Sequence, residues 1–234
     1  MSEKPNVMLV HGFWGGAAHW AKVIPELSGR GYDSIHAVEN PLTSLADDAE
    51  RTQKMIKQID GPVLLAGHSY GGAVITEAGD LPNVIGLVYV AAFAPDAGES
   101  LAQIGDRRAA PAVENVAPDS DGYVWIKQEK FRESFCQDLS AEEALVMAVT
   151  QKAPVGSTFG DAISDPAWRK KPTWYQVSTS DRMIHPDTER EMAERMEPRE
   201  TIELDASHAS LASQPTAIVD LIEQAAIALE PVAG

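Results

Sequence analysis

Apolar residues along the chain gather in short runs rich in Val, Ile and Leu that do not alternate with polar positions. Val7–Val10, Tyr32–Val38, Pro62–Gly67 (PVLLAG), Ile85–Phe93 (IGLVYVAAF), Trp174–Ser178 (WYQVS) and Thr201–Leu204 (TIEL) are such runs. A strand covered on both faces needs no polar side, so the pattern marks parallel strands inside a sheet. Between the runs the period lengthens. From Leu45 to Ile59 the positions Leu45, Ala49, Thr52, Ile56 and Ile59 step by four and three, behind a Ser44/Asp47 capping pair. Gly72–Ala78 reads as a helix directly after the third run. Thr188–Met196 carries Met192, Ala193 and Met196 on one face, and Pro215–Leu229 closes the chain as an amphipathic helix. Strand–helix alternation means βαβ units with right-handed crossovers, hence an α/β fold with a doubly wound, mostly parallel sheet of about six strands.

The stretch 96–168 interrupts this rhythm. It opens on Pro95-Asp96-Ala97-Gly98-Glu99, is loop-like from Pro111 to Gly122, then offers a strand at Tyr123–Lys127 and a helix at Ser140–Thr150. An insertion that long between two core strands is rarely a mere connection. The expected organisation is a core of residues 1–95 and 169–234 carrying a mainly helical lid, 96–168. The final Pro231–Gly234 is expected to fray.

Composition narrows the classes of function. The 234 residues are 44% hydrophobic and 23% charged, those of a globular chain rather than a disordered one. Nineteen Lys and Arg against 35 Asp and Glu leave a formal charge of −16. Such a surface repels phosphate backbones and anionic lipid, so neither nucleic acid nor membrane is an expected partner. Cys136 is the single cysteine, which excludes an internal disulfide and a thiolate-rich metal cluster. No basic segment followed by an apolar stretch opens the chain, and no apolar run approaches the ~20 residues needed to span a bilayer, so a cytoplasmic location is expected. Neither a repeat nor a low-complexity tract is present. Oligomeric state is open.

The sharpest chemical signal is Gly67-His68-Ser69-Tyr70-Gly71 between the third apolar run and the helix after it. A Gly-x-Ser-x-Gly there is a nucleophile elbow: the glycines permit the sharp turn, and the serine oxygen projects over the sheet at a helix N-terminus. A serine hydroxyl needs a base, and the base an orienting carboxylate. His208 lies just beyond the last apolar run, and Asp181 just beyond the run before it. Parallel strands put their C-terminal ends on one edge, so both emerge beside Ser69. The rival acids are Asp187, after Pro186 at a helix start, and Asp205, three residues before His208. The first strand ends in His11-Gly12-Phe13-Trp14-Gly15-Gly16, a turn whose Phe13 N–H, with that of Tyr70, would form an oxyanion hole. No phosphate-loop or dinucleotide glycine pattern accompanies that turn. Of the other histidines, His11 is expected to be held in the turn and His68 beside the elbow, with His19 and His36 peripheral and His185 in an exposed loop. No metal or other cofactor is implied. Cys136 lacks a neighbour that would activate its thiol. Trp14 and, within the lid, Trp125, Phe131, Phe135 and Met147 are candidate substrate contacts, as is Trp168.

With Val10-His11-Gly12-Phe13, Gly67–Gly72, Tyr89–Phe93, Asp181-Arg182-Met183-Ile184 and Ser207-His208 in this order, the chain resembles the α/β-hydrolase superfamily along essentially its whole length. The look is that of the compact branch of methylesterases and hydroxynitrile lyases, without the two extra N-terminal strands of larger relatives. The resemblance implies a Ser69–His208–Asp181 triad, with the Phe13 and Tyr70 amides as the oxyanion hole. Lyases of this branch carry a threonine at the position of Gly12 and a lysine at that of Ala209, which turns the reading away from cyanide chemistry. The activity implied is that of a cofactor-free serine esterase acting on a small, largely apolar carboxylic ester. The alternatives are C–C bond hydrolysis on the same scaffold and a small-molecule binding protein with little turnover.

Overall fold

The computed structural model of the protein describes residues 4–230; Pro231–Gly234 lie outside the described residues. The chain runs β1 (Asn6–Val10), α1 (Val23–Gly29), β2 (Ile35–Val38), α2 (Leu45–Ile56), β3 (Val63–His68), α3 (Tyr70–Ala78) and β4 (Val84–Val90). It continues through α4 (Leu101–Arg107), β5 (Val116–Pro118), β6 (Val124–Ile126), α5 (Phe131–Phe135) and α6 (Ala141–Thr150). It then returns to β7 (Thr173–Ser178), α7 (Pro186–Met196), β8 (Glu200–Leu204), α8 (Ser210–Ser213) and α9 (Pro215–Ala228).

Six strands form one parallel sheet in the order β2-β1-β3-β4-β7-β8. The two-residue period of a strand divides its apolar side chains between two cores. Met8, Val10 and Leu65 face α2, α3 and α7, whereas Val7, Leu9, Leu64 and Trp174 face α1 and α9. Central β3 is buried throughout, while β8, at the edge, alternates half-buried and exposed positions. Between β4 and β7 the chain leaves the sheet; β5 and β6 pair only with each other, antiparallel.

Differences from the expected elements are local. The second run starts its ladder at Ile35 rather than Tyr32, because the Tyr32 amide turns back to Leu27 O and closes α1. The fourth stops at Val90: Ala91 takes φ 42° and the Phe93 amide donates to Ser69 O. Part of the expected loop 111–122 is strand β5, and the short helices α1, α4 and α5 have too few turns to declare a period. No helix among the described residues is long and apolar enough to cross a membrane.

The strand order reverses between β1 and β3. Loops leaving their C-terminal ends diverge there and open a crevice, the usual ligand position in such sheets. Helix α3 reaches that point by close backbone approach. A Cβ at Gly71 would lie 2.3 Å from the Val10 carbonyl oxygen. We expect Gly71→Ala to lower the unfolding free energy in urea by about 3 kcal/mol. Gly29→Ala, with nothing within 4 Å of the added carbon, should leave it unchanged or higher.

Candidate active site

Ser69 links β3 to α3 with φ 56° and ψ −126°, a backbone that L-residues avoid unless their surroundings impose it. The surroundings are tight: the Ser69 carbonyl accepts the amides of Gly72 and Phe93, and its own amide donates to Val90 O. Across the crevice, a Cβ on Gly12 would stand 2.6 Å from Ser69 Cβ and 3.0 Å from Ser69 Oγ. The β1 loop and the serine therefore share one space, and on this backbone a side chain at position 12 would have to displace one of them.

The β1 loop is pinned by His11. Its Nε2 accepts the Asn40 amide at 3.0 Å, so the ring proton sits on Nδ1 and is donated to Gly12 O at 2.8 Å. Burial holds the His11 pKa down and keeps the ring neutral. Neither the Phe13 nor the Tyr70 amide finds an acceptor among the described residues. Their rings stack at 3.9 Å, and the Tyr70 hydroxyl donates to Asp48 Oδ2 at 2.6 Å. Asp48 Oδ1 takes the Leu42 amide, and burial pushes this carboxyl up to about 6 against both hydrogen bonds.

His208 lies between β8 and α8, wholly buried. Its Nδ1 is 2.5 Å from Asp181 Oδ2, while Asp181 Oδ1 accepts the Met183 and Ile184 amides at 2.7 and 3.0 Å. A carboxylate so supplied with donors takes a proton-bearing Nδ1, which leaves the lone pair on Nε2. That Nε2 is buried without a hydrogen-bond partner. His68 Nε2 donates to His208 O at 2.7 Å, so the residue before the serine holds the backbone of the base. Burial keeps His68 neutral. The rival acids stand elsewhere: Asp187 pairs with Arg190 on the surface, and Asp205 accepts from Ser180 Oγ.

The remaining candidates separate. Phe135 sets its edge to the His208 ring at 4.8 Å, and wholly buried Phe131 stacks behind it. Trp14, Phe93, Val116, Phe159 and Met183 line an apolar cleft of about 330 Å³, within the range of small-molecule sites. Met147 lines a second hollow with His19 and Leu139. Trp168 is tied by its indole N–H to Pro95 O. Trp125 is not gathered with them; it is 39% exposed and its indole donates to Asp119. Cys136 is buried and its thiol is pushed up to about 12, chiefly by that burial, so it offers no thiolate.

His19, expected to be peripheral, is not. It packs on Phe135 and against Gly15, and burial holds its pKa down to about 4. Nothing in its sequence spacing signals this, because tertiary packing alone brings it there. Asp48 is a second residue that the sequence does not single out, although it shares the inward stripe of Leu45, Thr52 and Ile56, a face on which an acid must be buried. Among the described residues no group of three or more His, Cys, Asp or Glu is placed to hold a metal ion.

Residues 7–221 match the alpha/beta hydrolase family. This chain belongs to it. The hydrolase is 26% identical to Alpha/beta hydrolase nvfD of Aspergillus novofumigatus, over 95% of this chain and 97% of that protein. It is 27% identical to Methylesterase 8 of Arabidopsis thaliana, over 93% and 88%. Among solved structures, a pyrethroid hydrolase from Sphingobium faniae superposes with a TM-score of 0.81 at 21% identity, covering 96% and 98% of the two chains. As a member of this family the chain is a hydrolytic enzyme, and it resembles a methylesterase along nearly its whole length.

The buried Asp48 gives this hydrolase a pH signature. Its folded pKa, about 6, exceeds the ordinary 3.8, so the folded chain binds this proton more tightly. The resulting stability is full below pH 3.8 and is lost as the pH rises through about 6. Asparagine has no such proton to lose. Unfolding free energies of wild type minus Asp48→Asn should fall by roughly 2–3 kcal/mol across that window. A difference independent of pH would refute the assignment.

Proposed function

We propose that the chain is a serine esterase that cleaves a small, largely apolar carboxylic ester through an acyl-enzyme. The observation that carries this reading is the buried His208 ring, tied through Nδ1 to Asp181 with Nε2 left unpartnered, its backbone held by the residue that precedes a serine in a left-handed strand–helix turn. A ring so arranged is a general base aimed away from its orienting acid.

Ser69 Oγ attacks the ester carbonyl as His208 Nε2 takes its proton. Asp181 holds the tautomer and stabilises the imidazolium. The Phe13 and Tyr70 amides receive the oxyanion, in surroundings where fixed donors act with little screening. His208 then protonates the departing alcohol, and water repeats the sequence on the acyl-enzyme to release the acid. The apolar lining of Trp14, Phe93, Phe159 and Met183 suits an apolar acyl or alcohol group. The names of the relatives, a methylesterase and a pyrethroid hydrolase among them, agree with ester substrates.

We assign residues 96–168 as a lid over a core of 1–95 and 169–234. Ser69 is 3% exposed and His208 fully covered, so an ester reaches them only when the cover moves. The contacts to be released include Phe135 on His208, Phe159 on Phe13 and the Trp14 indole on Val124 O. The lyase alternative is disfavoured by Ala209, a buried methyl where a cation would be required.

Wild type should hydrolyse p-nitrophenyl esters of short acyl chains. Ser69→Ala should lose turnover on the order of a millionfold, and Asp181→Asn about ten-thousandfold. A folded Ser69→Ala protein retaining more than about one per cent of the activity would rule out this mechanism.

A further inference from the structure

Helix α7 buries an acid. Glu189 shares a face with Met192, Ala193 and Met196, at spacings of three, four and seven, and that face is turned onto the sheet. Glu189 is 0% exposed. Its Oε2 accepts the Ser178 amide at 3.0 Å, whereas Oε1 is buried with no donor among the described residues. Asp181 closes the turn that Ser178 opens, its amide donating to Ser178 O at 3.2 Å, so the Glu189 carboxyl on the Ser178 amide faces Asp181 across that turn.

Two carboxyl groups buried at one turn, away from water, cannot both ionise, so the pair keeps one proton. Asp181 receives three N–H donors, from Met183, Ile184 and His208, and Glu189 receives one, from Ser178. The negative charge therefore settles on Asp181 and the proton on Glu189. Burial first, and the Asp181 charge second, hold the Glu189 pKa well above the carboxylate range. The other ionisable groups facing Glu189 do not reverse this. Tyr175 on β7 stays neutral, its phenol pushed up by burial and donating to Ala92 O. Arg190, on the same helix, turns outward to Asp187 and Glu203.

We propose that Glu189 is a positioning residue: as a neutral carboxylic acid it donates a hydrogen bond to Asp181 and holds that carboxylate against His208 Nδ1. The inference rests on the reading of Asp181 and His208 as the acid and base of an esterase. Because the bond from Glu189 stabilises the Asp181 anion, the proton on Nδ1 stays with the imidazole during turnover. No proton is transferred to or from Glu189.

Infrared difference spectra of wild type against Glu189→Gln test the protonation directly. At neutral pH the wild type should show the C=O stretch of a neutral carboxylic acid that the variant lacks, although exposed Glu is fully ionised there. Its absence would overturn the proposal, and the measurement needs no substrate. With p-nitrophenyl esters, Glu189→Gln retains an amide donor and should keep kcat within a few-fold, with the acid limb of the pH–rate profile unmoved. Glu189→Met, similar in length without a donor, should lower kcat roughly ten- to hundredfold at unchanged KM. A folded Glu189→Met enzyme with wild-type kcat, or an acid limb moved to lower pH by Glu189→Gln, would overturn it, the latter because it marks the removal of a charge. A protein that shows the acid band but hydrolyses no ester would sustain the Glu189–Asp181 bond and overturn the esterase reading alone.

Discussion

Ser69 can hold its left-handed backbone because the chain around it comes closer than side chains allow. A Cβ on Gly71 would strike Val10 O, and one on Gly72 would strike Phe93 O, each at 2.3 Å. These contacts seat the start of α3 against the ends of β1 and β4. The unbonded amide of Tyr70 and the hydroxyl of Ser69 depend on that seat, since both belong to the first turn of the helix. Strain at one residue is thus offset by backbone bonds on either side, the amides of Phe93 and Gly72 to Ser69 O and the Ser69 amide to Val90 O.

The other half of the site is built from carboxyls and imidazoles kept from water. Three histidines, His11, His19 and His68, are held neutral by loss of water, so none of the three places a positive charge beside His208. Each holds a neighbour by hydrogen bonding or packing: His11 on Gly12 O, His68 on His208 O, His19 on Phe135. Low local polarity also strengthens the contact between His208 and Asp181, because an ion pair formed during turnover would be little screened. The same low polarity makes a second ionised carboxyl beside Asp181 untenable, which is why Glu189 keeps its proton.

Much of the architecture is legible along the chain. Six short runs rich in apolar residues correspond to the six strands of the sheet, and the Gly-x-Ser-x-Gly signature lies at the β3–α3 turn where its glycines demand it. Strand ends alone favour Asp181 over Asp187 and Asp205, and Asp181 is the carboxylate found against His208. Buried acids are harder to see. Asp48 and Glu189 both occupy apolar stripes, yet each is flanked by a charged neighbour, Asp47 and Arg190, that reads as a solvated face. Short elements such as α1, α4 and β5 escape because one or two turns do not establish a period.

Hydrophobic periodicity is a local property, so the chain by itself determined where strands and long helices form, and the glycine pattern determined where the chain can turn sharply. Which groups lose their water is not local. The packing of His19 on Phe135, the approach of Glu189 to the turn that ends in Asp181, and the seat of Phe135 on His208 each join separate segments of the chain. Only the tertiary structure decided those, because desolvation depends on what other elements cover a side chain, and in this protein desolvation sets the protonation states around His208.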